Sequence, residues 1–329
     1  MTGMGKRIPE IDTVRGLALA GLPIVNLGLT VGKRHYPVPG PVASLIYHDL
    51  FLHRFVTIFC FLFGVSFALV LRGAAERVRR PRAVLVRRLV ALFAFGLFQL
   101  FALDQNLQLL IYATLGVVVL LPVSYLPRRA MVAVGAGLLL ASLPIVEHGA
   151  GEAVKILAIT SGLLILGAAV VAYEIHTDLP QRGKEIRTIF LAATILAVVT
   201  NAINPDDTTI FDAIVDELAM LSTSVAYVTG LLLLLRTRAR RPLLAALSPL
   251  GRMALTNFLV QAAAAVAFAA TFNIRGANFA VVTYGFTTLF VATQAILCTL
   301  WLRPFRYGPA EWLWRCATWL TVVPLRRVP

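Results

Sequence analysis

The sequence predicts an all-α, polytopic integral membrane bundle of about ten transmembrane helices, with both termini cytoplasmic and a short interfacial helix at the C-terminal end. Three observations carry this expectation. Hydrophobic residues make up 59 % of the 329 positions and charged residues 14 %, with a mean hydropathy of +0.82, far outside the soluble globular range. Apolar windows long enough to cross a bilayer recur from one end to the other. The basic residues also segregate. With the N-terminus in the cytoplasm, 25 of the 30 Lys and Arg fall inside, and Lys33, Arg34, Arg54, Lys155 and Arg275 fall outside. The positive-inside rule demands such a bias. The net charge of +14 then reflects topology and anionic lipid, and nucleic-acid binding is not needed to explain it.

The first span, 14–31, follows Asp12, which can cap it, and Arg15, which can snorkel to the inner face; Pro23 interrupts its apolar run and Asn26 ends it. The outer connection Gly32–Arg54 leads to span 55–71. The inner connection Arg72–Arg88, with arginines at 72, 77, 79, 80, 82, 87 and 88 around Pro81, leads to span 89–103. It reads first as an orientation signal against anionic headgroups, and second as a landing site for a phosphorylated cofactor, because guanidinium forks bind phosphate bidentately. Spans 107–125, 130–147, 154–173 and 188–203 follow, the last two joined by the inner connection Glu174–Arg187. The acidic outer stretch Asn204–Glu217 precedes span 218–235 and reads as a solvated loop, with Asp212 near a helix start. After the inner connection Arg236–Arg252 come spans 253–272 and 279–302. Pro309 then suits the first turn of a new helix, Glu311 and Arg315 are an i,i+4 pair, and Trp312, Trp314 and Trp319 suit the inner interface. The whole chain, 1–329, is expected to be one multi-pass domain in the cell membrane, without a cleaved leader and surrounded by membrane lipid. Nothing in it speaks to oligomeric state.

Asn257 and Gln261 are four residues apart, so they share one stripe of the ninth span. Carboxamides are costly in lipid unless they meet partners inside a bundle, which makes both candidate substrate-binding groups. Arg252 stands one turn before Thr256. Asn26 either orients a reacting group or makes an interhelical hydrogen bond. Three of the five histidines, His35, His48 and His53, cluster after the first span and are the best acid–base material in the chain. Their spacing matches no compact metal motif, and no metal is expected. Cys60, Cys298 and Cys316 read as packing residues.

Asp12-Thr-Val-Arg-Gly16 with Asn26, Phe61-Leu-Phe-Gly64, Gly251-Arg-Met-Ala-Leu-Thr-Asn257 with Gln261, and Arg306-Tyr-Gly-Pro-Ala-Glu-Trp-Leu-Trp-Arg315 together resemble the YeiB-like family of uncharacterised bacterial membrane proteins. The C-terminal region, about 150–329, is the more family-like, and the central region is shortened. That family is more distantly similar to the multi-span acyltransferases, which include heparan-α-glucosaminide N-acetyltransferase and the envelope O-acetyltransferases. Their first span carries an Arg-Gly and, eleven residues after the Arg, an Asn or His; Arg15 and Asn26 keep that spacing. The lysosomal enzyme has a catalytic His in the loop after its first span, which makes His35 the nearest positional candidate. Two departures stand out. Gln99 occupies the place of a family His in the third span, and Gln105-Asn-Leu-Gln108 stands around a family Gly-Asp-Ile-Leu, with Asp104 displaced.

The resemblance implies transmembrane acyl transfer from a cytosolic acyl thioester, such as an acyl-CoA, to a lipid, glycan or small envelope metabolite. Arg15, Arg87, Arg88 and Arg252 would hold donor phosphates, and Asn26 with His35 or His53 would position and deprotonate the acceptor. Two other readings stay open. One is a transporter or binding protein for an amphipathic metabolite, with Asn26, Gln99, Gln108, Asn257, Gln261 and Gln294 lining a polar path. The other is an intramembrane enzyme acting on a lipid or isoprenoid.

Overall fold

A computed structural model describes residues 8–32, 46–103, 107–146, 150–179, 181–203, 209–271 and 279–327. Among them the chain is helical throughout: α1 (Pro9–Gly32), α2 (Arg54–Ala75), α3 (Pro81–Leu103), α4 (Gln108–Val123, with a π turn at Gly116–Leu120), α5 (Arg128–Ser142), α6 (Ala150–Ala172), α7 (Gly183–Ile203), α8 (Ile210–Leu234), α9 (Arg240–Arg252), α10 (Ala254–Thr271), α11 (Phe279–Trp301) and α12 (Pro309–Trp319). A π turn at Ile46–Phe51 precedes α2. A single bridge, Phe305 with Arg326, ties down the C-terminal tail.

Each predicted span falls on a helix, and the count of ten crossings is not confirmed. Among the described residues, six helices are long and apolar enough to cross a membrane, and α9 with α10, bent by 80°, makes a seventh if the pair is one broken span. Helix α5 has only 15 residues, and at 1.5 Å per residue it spans about 22 Å of a hydrocarbon core about 30 Å thick. The inner connection Arg236–Arg252 is also not a loop. Its segment 240–252 is the amphipathic helix α9, whose arginine-rich ends hide a stripe of leucines.

Lipid explains the exterior. Phe101 is 82 % exposed and Ile195 65 %, as expected of side chains facing acyl tails. Hydroxyls within these helices turn back on their own carbonyls four residues earlier: Ser66 donates to Leu62 O, Ser224 to Met220 O and Thr299 to Ala295 O, all at 2.7–2.8 Å. A hydroxyl satisfied this way crosses apolar surroundings at low cost.

The chain divides into two compact units. The first comprises Met1–Phe55, Val90–Leu110 and Leu234–Pro329. In it α1 packs along α9 and against α10 and α11. The α1–α9 crossing is backbone against backbone: a Cβ on Gly16 would fall on the Leu247 carbonyl, and one on Gly251 would fall on the Asp12 carbonyl. Only glycine permits that approach.

The second unit comprises Val56–Leu89 and Ile111–Leu233. Its core packs Phe67, Leu85, Leu89, Leu120, Leu164 and Ile165. Arg82 lies 3.6 Å over the Tyr125 ring and Arg72 pairs with Glu174 at 2.8 Å. Two residues placed by the sequence among solvated outer groups are buried here. Lys155 is 2 % exposed and donates to Ala213 O at 3.4 Å. Glu217 accepts the Ser142 hydroxyl at 2.6 Å. The reason is that α8 begins seven residues before Glu217, at Ile210. Asp212 does sit at that helix start, accepting from Thr209 N and Oγ1 at 2.9 and 2.7 Å.

Candidate functional site

Proline creates the site. Pro23 lies inside α1 and has no N–H, so the carbonyl four residues earlier, Leu19 O, loses its helical donor. Gln261 of α10 supplies the replacement: its Nε2 donates to Leu19 O at 3.0 Å and to Gln294 Oε1 at 2.9 Å. Gln294 Nε2 donates in turn to Asn257 O at 3.3 Å. Asn257 Nδ2 donates to Leu250 O at 2.9 Å, and the Cys298 thiol donates to Asn257 Oδ1 at 3.2 Å. The helix breaks after Arg252, with Met253 at φ −110°, and Leu250 O also accepts Met253 N there at 3.2 Å. Gln261 therefore repairs the interruption at Pro23, which lipid cannot do, and Asn257 adds a second donor to Leu250 O at the break after Arg252.

Asn257 and Gln261 are each 2 % exposed, inside the first unit. Both of Asn257's polar atoms are engaged. Gln261 keeps one: its Oε1 is buried and meets no hydrogen-bond donor. Because Nε2 faces two acceptors, the amide cannot be turned over without setting oxygen against oxygen. Gln99, where the resemblance places a His, is likewise 2 % exposed with Oε1 undonated.

The charged end of the unit lies one turn along α1. Arg15 Nη1 donates to Asp12 Oδ1 at 3.2 Å and to Gly251 O at 3.4 Å, which places a cation on the negative C-terminal end of α9. Glu10 pairs with Arg240 at 2.9 Å. Glu311, at the start of α12, caps α10. Its Oε1 accepts from Leu255 N and Thr256 N at 2.5 and 3.0 Å, its Oε2 accepts the Thr256 hydroxyl at 2.6 Å, and that hydroxyl accepts Ala310 N at 3.1 Å. A Cβ on Gly308 would fall on Glu311 Oε2 and Thr256 Oγ1. Burial pushes the Glu311 carboxyl above the usual carboxylate range, while Thr256 and the backbone amides pull it down. The expected partner Arg315 lies 4.4 Å over the Tyr307 ring.

The remaining sequence candidates are dispersed. Asn26 is 6 % exposed, on α1. The segment before α2 folds back over the same stretch of α1: Tyr47 OH donates to Val25 O at 3.4 Å, and a Cβ on Gly21 would fall on the Phe55 ring. His53, two residues before Phe55, is exposed and left-handed at φ 62°, a backbone conformation more often met at strained functional positions. His35 lies outside the described residues. Arg252 belongs to the first unit, with Arg15, whereas Arg87 and Arg88 belong to the second. Among the described residues no three His, Cys, Asp or Glu converge as a metal site would. The sequence reading overlooked the Leu19 carbonyl; the signal for it was Pro23.

Comparison with known proteins divides the chain differently. Residues 7–147 match the family described as heparan-α-glucosaminide N-acetyltransferase, catalytic, and residues 170–321 match the family described as protein of unknown function (DUF418). An uncharacterized 39.9 kDa protein in the amylase 3′ region of Bacillus acidopullulyticus is 28 % identical over 348 residues, covering 98 % of this chain and 96 % of that protein. The uncharacterized protein YxaH of Bacillus subtilis (strain 168) is 23 % identical over 401 residues, with the same coverage of each. Both matched regions contribute to the polar site, α1 from the first and α9–α12 from the second.

Proposed function

We propose that this multi-pass membrane protein, acyltransferase-like over residues 7–147 and DUF418-like over 170–321, moves an acyl group from a cytosolic thioester to a lipid, glycan or small metabolite of the envelope, in the cell membrane. The observation that carries the reading is the placement of Arg15 and Asn26 within the acyltransferase-like match. Eleven residues apart on α1, they lie within about 20° of one another around the helix and about 16 Å apart along it. Arg15, with Arg252, supplies cations at the cytosolic end for the donor's phosphates. Asn26 offers a carboxamide deeper in, where the thioester carbonyl becomes an oxyanion.

The reaction exchanges the acyl C–S bond for an acyl C–O or C–N bond. An acceptor O–H or N–H loses its proton to a base as its heteroatom attacks the thioester carbonyl, and the C–S bond breaks to release the thiol, which takes up a proton. His35 or His53 is the base in this scheme. Gln261 meets the substrate, and Asn257 holds the helices around it in register.

The broken span α9–α10 favours a second reading, transport, because discontinuous helices with freed carbonyls line many translocation sites. Untargeted mass spectrometry of lipids and metabolites, from cells with and without the protein, separates the two. Species differing by the mass of an acyl group support transfer; redistribution across the membrane without a mass change replaces it with transport.

A further inference from the structure

Along α1 the groups of this site lie in a fixed order. Arg15 comes first, the Leu19 carbonyl with Gln261 follows about 6 Å further in, and Asn26 stands about 10 Å beyond that. Four and then seven residues separate them, so all three fall on one stripe of the helix.

The middle position is rich in acceptors. Leu19 O, Gln294 Oε1 and Gln261 Oε1 all accept; both N–H groups of Gln261 Nε2 are used, by Leu19 O and Gln294 Oε1, and Gln294 Nε2 gives one to Asn257 O. Gln261 Oε1 is buried without a donor. An unmet acceptor at that depth is expensive. A ligand group that aims an N–H at Gln261 Oε1 meets this need, and a secondary amide is such a group.

We propose that Gln261 Oε1 receives an amide N–H from the arm of the acyl donor, which makes Gln261 a positioning residue for that donor. The inference rests on the acyl-transfer reading and deepens it. In an acyl-CoA, the diphosphate, two secondary amides and the thioester follow one another along a single flexible arm. Arg15, Gln261 and Asn26 meet these groups in the same order. Holding the arm at its middle fixes where the thioester carbonyl comes to rest, which is where an acyltransferase gains rate from orientation. Asn257, whose amide is fully engaged, contributes by holding Leu250 and Gln294 in place and does not touch the donor.

The test is equilibrium binding to the full chain in lipid nanodiscs, with acetyl-CoA and with an analogue whose two arm amides are replaced by esters. The wild type should bind acetyl-CoA roughly three- to ten-fold more tightly than the ester analogue, and Gln261→Met should close that gap. A gap that persists in Gln261→Met, or no gap in the wild type, overturns the proposal while leaving the acyl-donor reading intact. Absence of saturable acetyl-CoA binding to the wild type overturns the donor reading itself, and this proposal with it. Gln261→Met also strips Leu19 O of a donor, so Pro23→Ala serves as the second variant. It returns an N–H to Leu19 O, loosens the aim of Gln261 without unpairing the helix, and should narrow the gap. An unchanged gap in a folded Pro23→Ala protein counts against the proposal.

Discussion

The Thr256 hydroxyl donates to Glu311 Oε2 at 2.6 Å, and through that bond the C-terminal helix α12 holds the first turn of α10. The same carboxylate accepts two backbone amides of α10, so one side chain closes the helix that carries Asn257 and Gln261. It is the most direct link between the C-terminal motif and the polar site.

That link predicts a pH dependence of stability. Burial raises the Glu311 carboxyl above its unfolded value, so the folded state favours the protonated form. The corresponding stability is fully present below the unfolded pKa and is lost as pH rises through the folded one. Thermal unfolding in nanodiscs, followed by tryptophan fluorescence, should therefore show a midpoint that falls as pH rises from the acidic side. Glu311→Gln should flatten this slope, and Glu311→Ala should lower stability by about 1–3 kcal/mol by uncapping α10. A slope unchanged in Glu311→Gln would assign it to another group.

Backbone contact at the α1–α9 crossing makes a second prediction. Gly16→Ala and Gly251→Ala each drive a methyl into a facing carbonyl, Leu247 O or Asp12 O, and each should cost about 1–3 kcal/mol by overpacking. The two glycines serve one contact, so the second substitution should cost less than the first once the helices have parted. Strict additivity in the double variant would show that the two glycines act in separate contacts.

How much of this was legible in the sequence can be read from particular residues. Asn257 and Gln261 announced themselves, because an i,i+4 pair of carboxamides in an apolar run has few destinations other than a bundle interior. Helix α9 did not, since its flanking arginines, Arg240, Arg241 and Arg252, outweigh its leucines in any hydropathy window. The Leu19–Gln261 bond was half legible. Pro23 declares that a carbonyl has been freed, but no pattern says which side chain will reach it. Glu311 was visible as a local partner for Arg315, whereas its contacts with Leu255 and Thr256 join segments more than fifty residues apart. The crossing count of ten is not confirmed for a related reason: hydropathy marks apolar segments, and among the described residues α4 and α5 are apolar but short.

Orientation is open to direct measurement. The excess of basic residues on one side of the expected bundle predicts that the Arg72–Arg88 connection is cytoplasmic. Reporter fusions at Arg79 should be active only with a cytoplasmic reporter, and fusions next to Asp212 only with an external one. Both fusions reporting from the same side would overturn the proposed orientation and, with it, access of a cytosolic donor to Arg15.

The proposed transfer needs a base, and the histidines offer the sharpest distinction among candidates. His53 stands at a left-handed position where the π turn meets α2, and the segment around it packs over the stretch of α1 that leads to Asn26. His35 lies in the same connection by sequence. His176 sits instead in the connection between α6 and α7, buried, with its pKa lowered by that burial, and its loss should be felt in stability. A general base contributes roughly 10²–10⁴-fold to rate. His35→Ala or His53→Ala should therefore lower formation of the acylated product by about that factor, with KM for the thioester little changed, because the base acts on the acceptor. His148→Ala and His176→Ala should keep near-normal turnover. The variant lacking both His35 and His53 is the decisive one. If it transfers acyl groups at the wild-type rate, the proton leaves by another route, and this connection serves the fold and not the chemistry.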